Sequence, residues 1–461
     1  MRTIAAFAAL LLLAGCLDAE APDPASAGNS SSTTPLPLVL ETPIILPEVD
    51  LGSAAGEPNI AVGPDGAIYV SDPSIGVWRS SDGGASYSKA AARGITGGGD
   101  GDIVIDAEGC IHWLGLFGTD AKGEAAPIPY QVSCDKGASF SDAVDLSNGT
   151  GSDREWIGQS HDGVLYASWR GSDAEGNGVI STTTSFDGGA NWTPLAVMSP
   201  DAVGGPIVAG RVPGQVFEAM TTFGQGPEGL VSTGGAQVLL ARSSDHAATW
   251  DIVPVFTPTQ SVAVGLIGFA TSIFPVVAMD DAGTLYVVFS ADQRLLPEAV
   301  PKAAARFGVF LVSSSDLGET WSDPVLLSNP DHVALMPWID AGAAGRVVVT
   351  WYENTLGLPA DFLPDLWNVK LWESITADEA YPEGVTVQLN ALPNHIGAVC
   401  TSGTGCLAGD RSLLDFFEVV IQSNGHPVAT WGYSIAGTGV GVSAQGANVF
   451  AGGIAGGTPR R

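Results

Sequence analysis

The most polar strand start in the chain is Asp153-Arg154-Glu155, which directly precedes the apolar pair Trp156-Ile157. An arginine side chain can bind a carboxylate bidentately through its planar fork of N–H donors. Asp and Glu side chains can act as general acids and bases. The segment therefore predicts either a site for a charged ligand or a set of buried ion pairs, because dense buried charge needs partners.

A repeated pair of apolar strands must position these side chains. In each repeat an apolar strand runs into a turn glycine, and a second apolar strand follows. Such pairs predict seven four-stranded antiparallel blades of an all-β propeller, with six blades as the alternative. Leu38 to Leu51 is apolar enough to supply a strand that closes the ring against blade 7. The turn glycines are Gly66, Gly109, Gly163, Gly214, Gly283, Gly345 and Gly425.

A second repeat, Ser-x-Asp-x-Gly-x-x-Trp, follows the third strand of blades 1 to 5. Ser and Asp can bond the backbone of a tight turn, glycine supplies a positive φ, and the aromatic ring packs on the blade. Blade 6 has a degenerate copy near Asn368 to Ser374, and none is readable in blade 7. The residues are Ser80, Asp82, Ser133, Asp135, Ser185, Asp187, Trp192, Ser243, Asp245, Trp250, Ser314, Asp316 and Trp321.

This second repeat resembles the Asp-box, or BNR repeat, of sialidase-like β-propellers, over roughly residues 55 to 455. The resemblance implies the propeller fold, with Asp-boxes that stabilise the blades. It does not select an activity, because the family includes glycoside hydrolases as well as sorting receptors and assembly factors.

Propeller geometry separates two faces of the disk. With strands a to d counted outward from the central channel, the a–b glycine turns and the Asp-box turns share one face, here the turn face. The starts of the a strands and the b–c loops lie on the opposite face, here the mouth face. The b–c connections are long in blades 4, 5 and 6, and long loops on a rigid scaffold are the usual place for binding.

A sialidase would hold the substrate carboxylate with three arginines and would use a tyrosine nucleophile, a helper glutamate and an acid–base aspartate. The resemblance implies Tyr352 with Glu353, and Asp72 or Asp100, as the catalytic groups. Tyr352 and Glu353 are sequence neighbours on a strand, so they point to opposite sides. The predicted ligand-binding residues are Asp153, Arg154, Glu155, Arg170, Arg411 and Tyr433.

Three function classes follow from these residues. The preferred one is a cell-surface propeller that binds a glycan or protein ligand at the mouth face. The alternatives are a sialidase-like glycoside hydrolase and a structural surface-coat protein. No cofactor is required by these residues, a bound cation such as calcium stays open, and we expect a monomer.

Composition restricts the partners. Lys and Arg total 18 against 49 Asp and Glu, which gives a formal charge of −31. So acidic a protein is a poor partner for nucleic acid or for anionic lipid surfaces. We therefore expect contact with a membrane only through a lipid anchor.

The N-terminus predicts export. Met1-Arg2, an apolar run and then Leu13-Ala14-Gly15-Cys16 resemble a signal peptide that ends in a lipoprotein lipobox, although an ordinary signal peptide is the alternative. Residues 17–37 have the composition of a flexible tether, and 38–461 form one propeller domain. The predicted location is the outer cell surface, through a lipid on Cys16.

The remaining cysteines predict local disulfides. Four cysteines remain after Cys16, an even number that fits an oxidising compartment. Cys110 and Cys134 fall on consecutive strands of one blade, and Cys400 and Cys406 bracket a short loop. Metal binding is the rival interpretation, but no zinc-type spacing surrounds either pair.

We predict that Cys16→Ala releases the protein from membrane fractions, because the substitution removes the residue that would carry the lipid. Fractionation followed by a carbonate wash measures this. Retention of the variant in the washed membranes would place the anchor elsewhere.

Overall fold

The structure is a computed structural model that describes residues 43–53, 56–73, 75–98, 100–200, 202–222, 224–225, 231–232, 237–257, 271–293, 306–360, 364–400, 411–434 and 448–456. All of them belong to one compact unit, Leu38–Arg461. Cys16, Cys406 and the predicted leader and tether lie outside the described residues. Within the described ranges there is no helix long and apolar enough to span a membrane.

The fold is a seven-bladed β-propeller, as predicted. Each blade is a four-stranded antiparallel sheet whose strands are neighbours in sequence order, so each blade is a meander. Blade 1 contains Asn59–Val62, Ile68–Asp72, Gly76–Ser80 and Ser88–Lys89; blade 2 contains Gly101–Ile105, Ile111–Gly115, Pro129–Ser133 and Val144–Asp145; blade 3 contains Gly151–Gln159, Leu165–Ser172, Gly178–Ser185 and Ala196–Pro200.

The next three blades repeat this plan, and short extra strands are added in the connections. Blade 4 contains Ala202–Ala209, Val216–Thr222, Val238–Ser243 and Asp251–Phe256; blade 5 contains Thr271–Met279, Leu285–Asp292, Phe307–Ser314 and Val325–Leu326; blade 6 contains Ala334–Ala341, Val347–Asn354, Asp365–Ser374 and Gly384–Gln388. The extra strands are Gly118–Thr119 with Ala125–Ala126, Gly224–Gln225 with Val231–Ser232, and His395–Gly397.

Blade 7 joins the two ends of the propeller. Its first three strands are Val419–Ile421, Pro427–Tyr433 and Asn448–Gly456. Its outer strand comes from the N-terminal side, because Ile44–Ile45 and Val49–Asp50 both pair with Asn448–Gly456. The prediction that this segment closes the ring is confirmed. Blade 7 thus has no continuous link from its third to its fourth strand, which is why it carries no Ser-x-Asp turn.

The turn glycines have the backbone that the pattern predicts. All seven adopt positive φ, from 71° at Gly345 to 89° at Gly283. Only glycine adopts this region without a steric cost, so each one allows a tight a–b turn. The regular spacing of these turns sets the seven blades.

The Ser-x-Asp turns share one hydrogen-bond pattern. In blade 3 the amide of Gly189 donates to Ser185 Oγ at 2.8 Å, and the amide of Asn191 donates to Asp187 Oδ1 at 2.8 Å. Equivalent bonds occur in the other four copies. In blade 1, hydrogen bonds from Ser86 and Ser80 lower the pKa of Asp82 to about 2. The turns are therefore self-contained and hold their carboxylates ionised.

In blade 6 the degenerate copy replaces the aspartate. Its predicted range forms part of the third strand, and the turn begins at the last residue, Ser374. The amide of Thr376 donates to Ser374 Oγ at 3.0 Å, and the amide of Glu383 donates to Thr376 Oγ1 at 2.8 Å. Threonine therefore occupies the place that aspartate has in the other turns.

Cys110 and Cys134 are disulfide-bonded, as predicted, and join the second and third strands of blade 2. Cys400 is buried and also in a disulfide, while its predicted partner Cys406 lies outside the described residues.

We predict that Trp192→Ala lowers the free energy of unfolding by about 2 kcal/mol, below the range for a fully buried tryptophan. The half-buried indole of Trp192 packs edge-on against Tyr130 of blade 2, with ring centroids 5.0 Å apart. Denaturant titration measures the loss, and Trp192→Phe should recover most of it. Unchanged stability of the alanine variant would show that this contact contributes little.

Candidate functional site

The polar strand start of blade 3 lies in a cluster of charges at the mouth face. Arg154 Nη2 donates to Asp415 Oδ2 at 2.5 Å, and Nη1 donates to Asp100 Oδ2 at 3.3 Å. Arg411 donates to both oxygens of Asp415, at 2.8 and 3.0 Å. Glu57 Oε1 accepts the amide of Asp415 at 2.9 Å. We call Glu57, Asp100, Asp153, Arg154, Arg411 and Asp415 the mouth cluster; it joins blades 1, 2 and 3 to the segment that precedes blade 7.

The pKa shifts in the mouth cluster show that its arginines and Asp415 stabilise each other's charged forms. Burial alone would raise the pKa of Asp415, but Arg154 and Arg411 hold it at about 2. Burial would lower the pKa of Arg154, but the charges of Asp415 and Asp100 keep it well above its usual range. Burial, with the charges of Asp100 and Asp415, raises the pKa of Glu57 well above 4.5. Arg154 is thus committed to carboxylates of the protein itself.

Three inner strands begin with strained backbone at the mouth face. Glu57, Arg154 and Met336 occupy equivalent places and have φ of 53°, 57° and 55°. Residues other than glycine seldom adopt this region of positive φ, and those that do concentrate at functional sites. In blade 3 the register shifts between Asp153 and Trp156, so a bulge aims Arg154 into the cluster.

Aromatic rings close the channel next to the mouth cluster. Trp156 of blade 3, Trp338 of blade 6 and Phe416, which precedes blade 7, contact one another with centroids 5.1 to 5.7 Å apart. Their exposed fractions are 1%, 7% and 1%. Trp156 also donates through Nε1 to the Gly204 carbonyl of blade 4 at 3.1 Å. We call these three rings the aromatic plug.

Two carboxylates near the mouth cluster hold blades together. Asp102 Oδ2 accepts the amide of Ile157 in the next blade at 2.9 Å, and burial raises its pKa to about 7. Glu418 Oε2 accepts the amide of Ile60 at 2.8 Å, across the junction of blades 7 and 1. These contacts are structural, because each satisfies a backbone N–H of an inner strand.

The structure does not bring the predicted hydrolase groups together. Tyr352 is buried, its hydroxyl accepts the amide of Gly432 at 2.9 Å, and its ring packs on Phe417. Glu353 lies on the other side of the strand and accepts Trp351 Nε1 at 3.0 Å. Asp72 is buried and bonds the Ser53 hydroxyl. Of the predicted catalytic residues only Asp100 joins the mouth cluster.

The remaining predicted ligand-binding residues are spread around the mouth face. Arg170 is half-buried and lies opposite Asp153 in the blade 3 ladder. Tyr433 packs against Phe450 with the rings tilted and their centroids 4.6 Å apart. Three carboxylates pair with Arg154, and among them Asp153 has the most exposed side chain, at 45%. Its carboxylate is therefore the part of the cluster best presented to a ligand.

Glu155 and Glu218 are buried carboxyl groups with no hydrogen-bond partner for either oxygen among the described residues. Burial and the charge of Asp100 raise the pKa of Glu155 well above 4.5. Burial raises the pKa of Glu218 to about 8. Both groups are thus favoured in the protonated form.

Sequence reasoning missed a cavity at the turn-face end of the channel. Its volume is about 310 Å³, and blades 3 to 6 line it with the ends of their inner strands. The polar lining includes Gln159, His161, Arg211 and Asp340, and Trp338 of the aromatic plug also borders it. The repeat pattern gave no signal for it, because these residues stand where every blade has a strand end or a turn.

Metal binding has no support in the described part of the chain, where no group of three or more His, Cys, Asp or Glu side chains is placed to hold an ion. The predicted calcium option therefore has no candidate ligand set there.

This chain is similar in structure to solved proteins. No protein-family model matches the sequence, and no curated protein is similar to it. An ulvan lyase bound to -[GlcA(1-4)Rha3S]- is 14% identical, with 90% of this chain and 98% of that chain covered and a TM-score of 0.51. The α-L-arabinofuranosidase of Fusarium graminearum with arabinobiose is 12% identical, with 76% and 91% covered and a TM-score of 0.44. At 14% identity the likeness to the ulvan lyase shows the propeller fold alone.

We predict that Glu218→Gln stabilises the protein increasingly as the pH rises from about 4.5 to about 8. Over this range the unfolded chain loses the Glu218 proton and the folded chain keeps it, so the wild type loses stability with rising pH. The difference should grow by roughly 1.4 kcal/mol per pH unit and then level off.

Denaturant titrations of both proteins at several pH values measure this difference. Glu175→Gln, at an exposed position in blade 3, is the matched control and should show no such trend. A difference between wild type and Glu218→Gln that is constant with pH would contradict the prediction.

Proposed function

We propose that the protein is an exported, lipid-anchored Asp-box propeller that binds a glycan at its mouth face and does not hydrolyse it. The observation that carries this proposal is the closed channel behind the mouth cluster. A hydrolase would need a nucleophile and an acid at the bottom of an open pocket. Here Tyr352 is buried with its hydroxyl bonded to the Gly432 amide, and the aromatic plug fills the channel.

The charge of the mouth face favours a neutral glycan over an acidic one. Arg154 and Arg411 are paired with carboxylates of the protein, so neither guanidinium offers a free fork to a ligand carboxylate. The exposed carboxylate of Asp153 can accept hydrogen bonds from sugar hydroxyls but repels anions. The ulvan lyase is bound to an acidic saccharide, so its ligand class differs from the one proposed here.

Phe117 supplies an apolar surface on the same face. It stands in the b–c connection of blade 2, and the residue is 66% exposed. Its φ is 56°, and its amide donates to the Pro127 carbonyl at 2.8 Å, so the loop is held in a strained turn that presents the ring. An exposed aromatic ring is a suitable platform for the apolar face of a sugar.

A glycan array with the full-length protein, run beside a fluorogenic sialoside assay, tests the proposal. We expect binding to neutral glycans and no sialoside cleavage. Phe117→Ala and Asp153→Asn should each weaken binding by about tenfold, or 1.4 kcal/mol.

Phe186→Ala is the matched control, because Phe186 is 59% exposed on the turn face and should not affect binding. Sialoside turnover that Tyr352→Phe abolishes would support the hydrolase instead. Loss of binding in Phe186→Ala but not in Phe117→Ala would place the ligand on the turn face and contradict the proposal.

A further inference from the structure

The cavity at the turn-face end of the channel is independent of the mouth face. The aromatic plug lies between it and the mouth cluster, and Trp338 borders both regions. Its volume of about 310 Å³ is at the lower end of the range for small-molecule sites. A ligand in this cavity is therefore about the size of one sugar ring or amino acid, and it enters from the turn face.

Arg211 is fixed in the wall of the cavity. Its Nε and Nη2 donate to the carbonyls of Asp280 and Met279 at 2.9 and 2.8 Å. Its Nη1 lies 2.7 Å from His161 Nε2. Because a guanidinium can only donate, His161 Nε2 accepts this bond and the imidazole proton is on Nδ1. His161 therefore offers its Nδ1–H as a donor to a ligand. Most N–H groups of Arg211 already bond to the protein.

Asp340 and Gln159 supply acceptors and a further donor. The oxygens of Asp340 accept the amides of Ala341 and Ile421 at 2.8 and 2.7 Å, which fixes the carboxylate while each oxygen keeps acceptor capacity. The side-chain amide of Gln159 makes no hydrogen bond within the described part of the chain, and it can both donate and accept. The polar lining is thus preformed and contains both donors and acceptors.

Arg211 also pairs with Asp281 at 3.1 Å, and both oxygens of Asp340 accept backbone amides, so the lining presents no unpaired charge to an ionic ligand. Val208 and Val276 add apolar wall, and Trp338 adds an aromatic group. A ligand that matches this lining is neutral, has hydroxyl groups on its rim and has an apolar face. We propose that this cavity is a second binding site, which takes a single neutral pyranose ring or sugar terminus.

Ligand-observed saturation-transfer NMR on the full-length protein tests this site, with the neutral methyl β-glycopyranosides of glucose, galactose and mannose as probes. We expect transfer to at least one probe with a Kd of about 1 mM, a weak affinity typical of few contacts. Ala209→Leu places bulk in the lining and should weaken binding by at least about tenfold. Gln159→Leu removes only unpaired polar atoms, so it should fold normally and also weaken binding.

Ala190→Leu is the matched control, because Ala190 is exposed on the same face outside the cavity and should bind like wild type. Phe117→Ala should also bind these probes like wild type, which separates this site from the mouth face. No transfer to any probe would overturn the proposal. Binding that survives in both Ala209→Leu and Gln159→Leu, with normal melting temperatures, would overturn it as well, as would binding only of a charged probe such as methyl glucuronide.

Discussion

Hydrogen bonds between neighbouring inner strands are the constraint on which the rest of this structure depends. A propeller blade packs on its neighbours mainly through apolar side chains, which set distance but only weakly set register. Here buried carboxylates add direction: Asp102 accepts from Ile157, Glu418 from Ile60 and Asp340 from Ile421. Each bond crosses from one blade to the next, so the height of one inner strand fixes that of its neighbour. A buried acceptor that lost its donor would cost 1–3 kcal/mol or more, so the ring resists slippage.

The same constraint explains the buried charge of the mouth cluster. Inner strands converge toward the channel, so the side chains at their starts crowd together whatever their type. Where these side chains are Glu57, Asp100, Arg154 and Asp415, charge neutralisation must occur inside the cluster. Removing one partner would leave an uncompensated buried charge, which is strongly destabilising. Arg154, the arginine that the sequence places best for binding a ligand, is therefore already paired with carboxylates of the protein.

The fold could be predicted from sequence because its signals are local and repeated. The turn glycines and the Ser-x-Asp turns each need only a few adjacent residues, so the pattern alone predicts seven blades and the blade 2 disulfide. The closing strand was also predictable, since the apolar segment Leu38 to Leu51 precedes blade 1. The partners of Arg154 were not predictable, because Asp415 is 261 positions away and no local pattern links them. The cavity was missed because its lining residues belong to four blades.

The two ends of the channel differ because different blades build them. At the mouth face, charged residues come from blades 1, 2 and 3 and from the segment before blade 7. At the turn face, the ends of the inner strands of blades 3 to 6 line the cavity, and small residues such as Ala209 leave space. Trp338 fills the channel between them, and its ring is packed against Trp156 and Phe416. Because close-packed rings admit neither water nor ligand, a ligand at one end of the channel could not pass to the other. The mouth face and the turn-face cavity, the two sites proposed above, are thus separated by a filled channel with no passage between them.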